Sequence, residues 1–290
     1  FRTKHLAIVG LGLMGGSLAL ALRDNAGQIT GIDPDPATRE FAVQNKIIDH
    51  ATGDLKTGVK DADAVLLCAP VRTIIQLVDK QIGAYLRSNT LLIDIGSTKQ
   101  DICDVMGRLP IGVQAVGGHP MTGKESSGVY VADANLYRGR PFVLCPTRRT
   151  TPAARLRALE LVNELGAVPI EMEAKRHDKV VAAISHLPYL LSAALVATVA
   201  KQGERDEAVW TLAAGGFRDT SRLAASDVHM YRDILGTNTE AVATVLAHFR
   251  MQLAILEAML ISHDEQELDT SLTSIREQRV EWTQKYQNGK

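Results

Sequence analysis

The sequence predicts an α/β fold, with a doubly wound, mainly parallel sheet in the N-terminal half and an all-α C-terminal region. Three observations predict it. Short apolar runs alternate with amphipathic segments through the first half of the chain. A glycine-rich turn directly follows the first run. After Glu173 the strand-like runs stop, and each later segment reads with helical periodicity.

The runs, in order, are His5–Val9, Ile29–Asp33, Ala64–Ala69, Leu91–Ile95, Gln114–Gly117, Phe142–Cys145 and Val168–Met172. Several are nearly continuous in Val, Ile and Leu, as parallel strands buried on both faces require. Val71–Leu86, Lys99–Arg108 and Pro152–Leu165 read as the intervening helices. The later helices are Arg176–Gln202, Glu207–Ala214, Asp227–Asn238, Thr239–Ser262 and Asp264–Tyr286. Asp264 suits an N-cap, with Glu265 and Glu267 in the first turn facing the positive end of the helix dipole. The boundary falls near Met172–Lys175, which gives two domains, 1–173 and 174–290.

Composition narrows the partners. Thirty-two Lys and Arg against 33 Asp and Glu leave a net charge of -1, so no field draws the chain to nucleic acid or an anionic membrane. Aromatics make up 4%, too few for base-stacking platforms. Three cysteines with wide spacing form neither a metal pattern nor a disulfide framework, which fits a reduced, cytoplasmic compartment. Cys68 and Cys145 sit in apolar runs and read as core. Phe1 leads straight into a strand-like run, so no signal peptide is expected. Val180–Ala200 carries no Asp, Glu, Lys or Arg. It does contain Ser185, His186, Pro188, Tyr189 and Ser192, and is read as a buried helix of a soluble protein.

Residues 5–16, HLAIVGLGLMGG, place Gly10, Gly12 and Gly15 between a strand and a helix. That context makes GxGxxG a dinucleotide-binding, Rossmann-type fingerprint. Gly10 permits the tight turn, Gly12 the approach of a pyrophosphate, and Gly15 close packing of helix on sheet. Asp33 ends the second run, placed to accept hydrogen bonds from the adenosine ribose and to repel a 2′-phosphate. Pro34, Asp35 and Pro36 follow it rather than Arg, so NAD is favoured over NADP. The expected cofactor contacts are Gly10, Gly12, Leu13, Met14, Gly15, Asp33, Ala69, Pro70 and Ser97.

Ligands of such sheets sit beyond the carboxyl ends of the strands. DIGSTK (94–99) and GGHPMTGKE (117–125) follow the fourth and fifth runs. Ser97 and His119 therefore emerge at the cofactor edge. Oxidation of an alcohol needs a base for the hydroxyl proton as hydride departs, and a neutral histidine suits that near pH 7. Ser97 is placed to bond the same hydroxyl or orient the imidazole. His5, His50, His177, His248 and His263 read as structural or surface residues. In the helical half, Asp178, Ala182, Ser185, Tyr189 and Ser192 share one face, which fits either a wet cavity or a close helix crossing. Pro188 removes a backbone donor and bends the helix. GGFRDTSR (215–222) sets Arg218 and Arg222 four apart beside two glycines. They suit a dicarboxylate, or a solvated face paired with Asp219 or Asp227.

Taken in order, GLGLMGGSLA, DIGSTK, GGHPMTGKE, ISHLP and GGFRDTSR resemble the prephenate/arogenate dehydrogenases of tyrosine biosynthesis over essentially the whole chain. The resemblance implies a nucleotide-binding domain, a helical domain forming an intertwined homodimer, and oxidative decarboxylation of prephenate or arogenate. It implies His119 as the base at the ring hydroxyl and Ser97 as its partner. Arg222 would bind substrate carboxylate, and Glu125 would stand at the cleft entrance. Ser185 and His186 would line the cleft, with Gly215, Arg218 and Tyr231 in the remaining substrate-contacting segment. Some prephenate-specific members carry a histidine where this chain has Tyr189. Neither a fused chorismate mutase nor an added C-terminal regulatory domain is expected. Two other readings keep the same architecture. One is a 3-hydroxyacid dehydrogenase or imine reductase using a helical-domain lysine, with Lys175 and Lys179 available. The other is an NAD-binding regulator without chemistry.

Overall fold

The computed structural model describes residues 1–124 and 126–286. The first strand, β1 (Thr3–Val9), leads into α1 (Leu13–Ala21), and β2 (Ala26–Ile32) into α2 (Pro36–Gln44). Then come β3 (His50–Thr52), α3 (Leu55–Val59), β4 (Ala64–Leu67), α4 (Val71–Lys80), β5 (Leu91–Asp94), α5 (Gln100–Met106), β6 (Gln114–Pro120) and β7 (Pro141–Pro146). After them α6 (Pro152–Glu164) and β8 (Val168–Glu171) close the α/β half. The helices that follow are α7 (Ala174–Val181), α8 (Leu187–Gly203), α9 (Ala208–Thr211), α10 (Gly215–Ser221), α11 (Val228–Thr237), α12 (Thr239–Ser262) and α13 (Glu265–Tyr286).

The eight strands form one sheet in the order β3-β2-β1-β4-β5-β6-β7-β8. Every neighbouring pair is parallel except β6 and β7. The strand order turns outward at β1 and β4, where β1 carries the glycine fingerprint. Alternation along each strand divides the core. Leu6, Ile8, Leu66, Ile93 and Val116 pack on one face with α1 and α6, through Leu18 and Leu161. Ala7, Val9, Val65, Leu67 and Leu92 pack on the other with α4 and α5, through Ile74 and Ile102. Both faces are covered, which is why the sequence shows continuous apolar runs.

Three local features differ from the sequence expectation. The short edge strand β3 carries too few apolar residues to signal itself. β6 continues through Gly118, His119 and Pro120, because β7 pairs antiparallel alongside it with His119 opposite Val143. His119 is thus on a strand rather than in a turn. The long helix expected over 176–202 is interrupted by a π-helical turn at Ala182–His186, just before Pro188.

Contacts divide the chain into two compact units, Phe1–Thr239 and Glu240–Lys290. Helices α7 to α11 therefore belong to the same unit as the sheet. Among the described residues two helical stretches, Ala174–Gly203 and Thr239–Ser262, are long and apolar enough to cross a membrane by length and composition alone. The first is 22% buried over its most apolar window, far less than the buried helix the sequence suggests. Ile184 and Val180 stand exposed there, because within one chain only one face of the stretch is covered.

Candidate active site

The site grows from the carboxyl ends of β5 and β6. Asp94 closes β5 and is fully buried. Its Oδ2 accepts from the Gly96 N–H at 2.8 Å, its Oδ1 from the Gly118 N–H at 3.1 Å, and it pairs with the buried Lys99 ammonium. One carboxylate thus ties the loop bearing Ser97 to the strand bearing His119. A cradle of backbone N–H donors and an ammonium is what makes such burial tolerable. Ser97 remains half-buried, with its hydroxyl unpartnered among the described residues.

His119 is held from behind. Its Nδ1 lies 2.8 Å from Nε2 of His177, with the rings edge to face at 72°. His177 Nδ1 lies 2.8 Å from Oδ1 of Asp178. That carboxylate also accepts the backbone N–H groups of Lys99 at 2.7 Å and Gln100 at 2.9 Å. The Asn238 amide donates to the Asp178 carbonyl at 2.8 Å and lies 3.3 Å from His186 Nδ1. Burial, reinforced by His177, Lys99 and His186, holds the His119 imidazolium form unstable and its pKa well below the ordinary histidine value. Neutral imidazole, the form a base requires, is therefore the resting state at pH 7.

The sequence analysis placed His177 among structural or surface residues, and the structure finds it buried rather than on the surface. His177 is buried against His119, 58 residues away in the chain, a relation no local pattern encodes. Asp94, Lys99 and Asn238 were likewise not singled out, and Asp178 was placed only on the polar helical face. Lys175 and Lys179 are exposed on α7, whose buried face carries His177 and Asp178, so neither is positioned as a base.

The remaining candidates separate into two groups. Ser185 lies beside Tyr231, and Tyr189 stacks on Tyr231 with ring centroids 3.5 Å apart and planes at 5°. Burial pushes the Tyr231 phenol up, against the Ser185 hydroxyl and the Arg222 charge. His186 lies deeper, and burial lowers it to about 4. On the polar stripe, Ser192 Oγ donates to the Thr220 carbonyl at 2.6 Å. Parts of that stripe are therefore packed rather than wet. In the second group, Gly215 opens α10, and the exposed Arg218 pairs with Asp219 at 3.0 Å. Arg222 begins a 3-10 turn, Arg222–Ala225, and its side chain is exposed and engaged. Glu125 lies outside the described residues.

The fingerprint fits a dinucleotide. Gly10 has φ +94, and a Cβ there would stand 2.6 Å from the Cys68 carbonyl. A Cβ at Gly15 would meet the Gly10 carbonyl oxygen at 1.9 Å. At Gly12, the N-cap of α1, a Cβ would meet no protein atom, so its lack leaves room for something other than protein. Leu13 and Met14 supply the first-turn N–H groups of α1, and no side chain caps them. Asp33 follows β2, its carboxylate fixed by the N–H groups of Leu11 and Asp35, both at 2.9 Å. The nearby Arg39 guanidinium is engaged with the carbonyls of Asp33 and Pro34. Ala69 and Pro70 lie between β4 and α4, across from Gly10. Metal chemistry has no cluster to build on among the described residues.

Comparison with known proteins adds independent findings. Residues 18–171 match the family described as "Prephenate dehydrogenase, nucleotide-binding domain", and 173–274 match "Prephenate dehydrogenase, dimerization domain". A prephenate dehydrogenase of Lactococcus lactis is 34% identical over 92% of this chain and 74% of its own length. The crystal structure of prephenate dehydrogenase from A. aeolicus, in complex with hydroxyphenyl propionate and NAD+, superposes with a TM-score of 0.89 at 32% identity. It covers 97% of this chain and 99% of its own. Synechocystis arogenate dehydrogenase superposes with a TM-score of 0.83 at 31% identity, covering 96% and 99%.

Proposed function

The chain belongs to the prephenate dehydrogenase family, and from that premise we propose that it catalyses NAD-dependent oxidative decarboxylation of prephenate to 4-hydroxyphenylpyruvate in tyrosine biosynthesis. One observation carries the chemistry. His119 is a neutral imidazole engaged at Nδ1, its Nε2 unpartnered among the described residues, at the strand ends where ligands of such sheets bind.

NAD, when bound, supplies the hydride acceptor. His119 takes the hydroxyl proton at Nε2 as hydride leaves ring carbon 4. The dienone that results loses carbon dioxide, and aromatisation drives the reaction forward. Ser97 hydrogen-bonds the same hydroxyl. Arg222 binds a substrate carboxylate, as charge-assisted guanidinium pairs do. Ser185, His186, Tyr189, Gly215, Arg218, Tyr231 and Glu125 make up the rest of the proposed substrate region. Gly10, Gly12, Leu13, Met14, Gly15, Asp33, Ala69, Pro70 and Ser97 are the proposed cofactor contacts. Asp33 favours NAD over NADP because its carboxylate would repel a 2′-phosphate.

Cofactor binding is proposed for 1–173, and substrate binding and dimerisation for 174–290, as two functional domains. The protein acts in the cytoplasm as a homodimer built through the C-terminal helices, without nucleic acid or membrane. The reduction of NAD is followed with prephenate, arogenate and a 3-hydroxyacid, each also with NADP. The expected result is highest kcat/KM with prephenate and NAD. NAD binding without turnover of any of them would overturn the enzymatic reading in favour of a regulator.

A further inference from the structure

The His119 base is one end of a buried chain of three side chains, His119, His177 and Asp178, with 2.8 Å at each link. With both imidazoles neutral, hydrogen counting sets its direction. Between two neutral imidazoles one nitrogen must donate and the other accept. Asp178 already receives two unambiguous donors, the N–H groups of Lys99 and Gln100, so its carboxylate is an acceptor throughout. His177 must then place its proton on Nδ1, facing Asp178. That leaves His177 Nε2 with a lone pair, which accepts from Nδ1–H of His119. The proton of His119 is thereby drawn to Nδ1, and Nε2 is left as the basic atom.

We infer that His177, held by Asp178, is a positioning residue that fixes His119 in the tautomer whose Nε2 can accept the substrate's hydroxyl proton. The inference rests on His119 being the base. Free imidazole prefers the opposite tautomer, with the proton on Nε2, so an unassisted His119 would spend most of its time unable to act. The pair also serves the transition state. As His119 becomes imidazolium, its Nδ1–H stays donated to His177, and Asp178 faces the growing charge through the second ring. The other charged or titratable groups around the pair are Lys99, already paired with Asp94, and His186. Asp101 lies near Asp178 on the α5 side. Burial of His177 to 1% exposure excludes water as a substitute acceptor.

The test starts with the intact wild-type protein, labelled with ¹⁵N at histidine and assigned through His119→Asn. Near pH 7.5 the His119 signals are expected to be pyrrole-like at Nδ1 and pyridine-like at Nε2. A protonated Nε2 in the wild type overturns the inference without any variant of His177. Two substitutions then measure the effect on turnover. His177→Phe keeps the volume and removes the acceptor, and is expected to lower kcat by about 10- to 100-fold with both KM values within about twofold. His177→Gln can accept from His119 and donate to Asp178, and is expected to recover most of that loss. A Phe variant with wild-type kcat, or a Gln variant no better than Phe, overturns the inference. If His119→Asn itself retains turnover, the base assignment fails separately, whatever the tautomer.

Discussion

His119 and Arg222 would contribute to catalysis in different ways, and substitution separates them. His119→Asn keeps a side chain of similar polarity and removes the proton acceptor. Its kcat is expected to fall by roughly 10²- to 10⁴-fold with substrate KM little changed, because proton abstraction matters only in the transition state. Steady-state kinetics at pH 7.5 checks this, and near-normal turnover would remove His119 as the base. With Arg222 at the substrate carboxylate as proposed, Arg222→Ala would remove a charge-assisted pair worth roughly 2–5 kcal/mol, present in ground state and transition state alike. KM for the substrate should rise far more than kcat falls, with KM for NAD unaffected. An unchanged substrate KM would move carboxylate binding elsewhere. At this scale the sequence was legible where a residue sits inside a local motif, as His119 does in GGHP and Asp33 does at the end of a strand. It was silent about His177, Lys99 and Asn238, whose meaning comes from partners 58, 79 and 60 residues away.

The elements show the same division. Continuous apolar runs reported the central parallel strands, where both faces of the sheet are covered, and missed the edge strand β3, which has no such run. The extension of β6 through His119 was hidden, because it depends on β7 pairing alongside in the antiparallel sense. The helical stretch from α7 to α8 buries His186, and this has a cost that pH exposes. Native His186 titrates near 4, whereas an unfolded histidine does so near 6.5. Above 6.5 both states are neutral and the fold loses nothing. Below 6.5 the unfolded chain takes up a proton that the native chain refuses, so stability declines until about pH 4, by roughly 3 kcal/mol for this residue. His119, lowered in the same direction, adds to the same trend. Urea midpoints at fixed protein concentration should therefore fall between pH 7 and pH 4.5, and His186→Gln should flatten part of that slope. Equal slopes in wild type and variant would reject His186 as a contributor.

At the scale of the molecule, the second compact unit is hard to account for as a lone chain in water. It comprises α12 and α13, and on α12 Met251, Leu253, Ile255, Leu260 and Ile261 are exposed. Clusters of exposed large apolar side chains of this kind mark interaction surfaces. On α13 the residues Leu268, Leu272, Ile275, Arg279, Trp282 and Tyr286 recur in alternating steps of four and three, the spacing of a seam between helices. Arg279 lies over the Trp282 ring at 4.7 Å, so its aliphatic stem can join that seam while its charge remains partnered. The flanking Glu267, Asp269, Glu277, Glu281 and Lys285 suit water rather than lipid. A second copy of the chain is the occupant that fits, in keeping with the match of 173–274 to a dimerization domain. Light scattering of the purified protein without detergent should give twice the 31.4 kDa chain mass. Leu272→Glu combined with Ile275→Glu places two charges on the seam and should lower the mass toward one chain, or lower the unfolding midpoint in a concentration-dependent way. A wild-type protein that is monodisperse at one chain mass, or that stays in solution only with detergent, would refute the seam as a dimer interface. Because the proposed cofactor contacts, among them Gly10, Gly12, Gly15 and Asp33, lie outside that unit, NAD binding by a dissociated variant should persist.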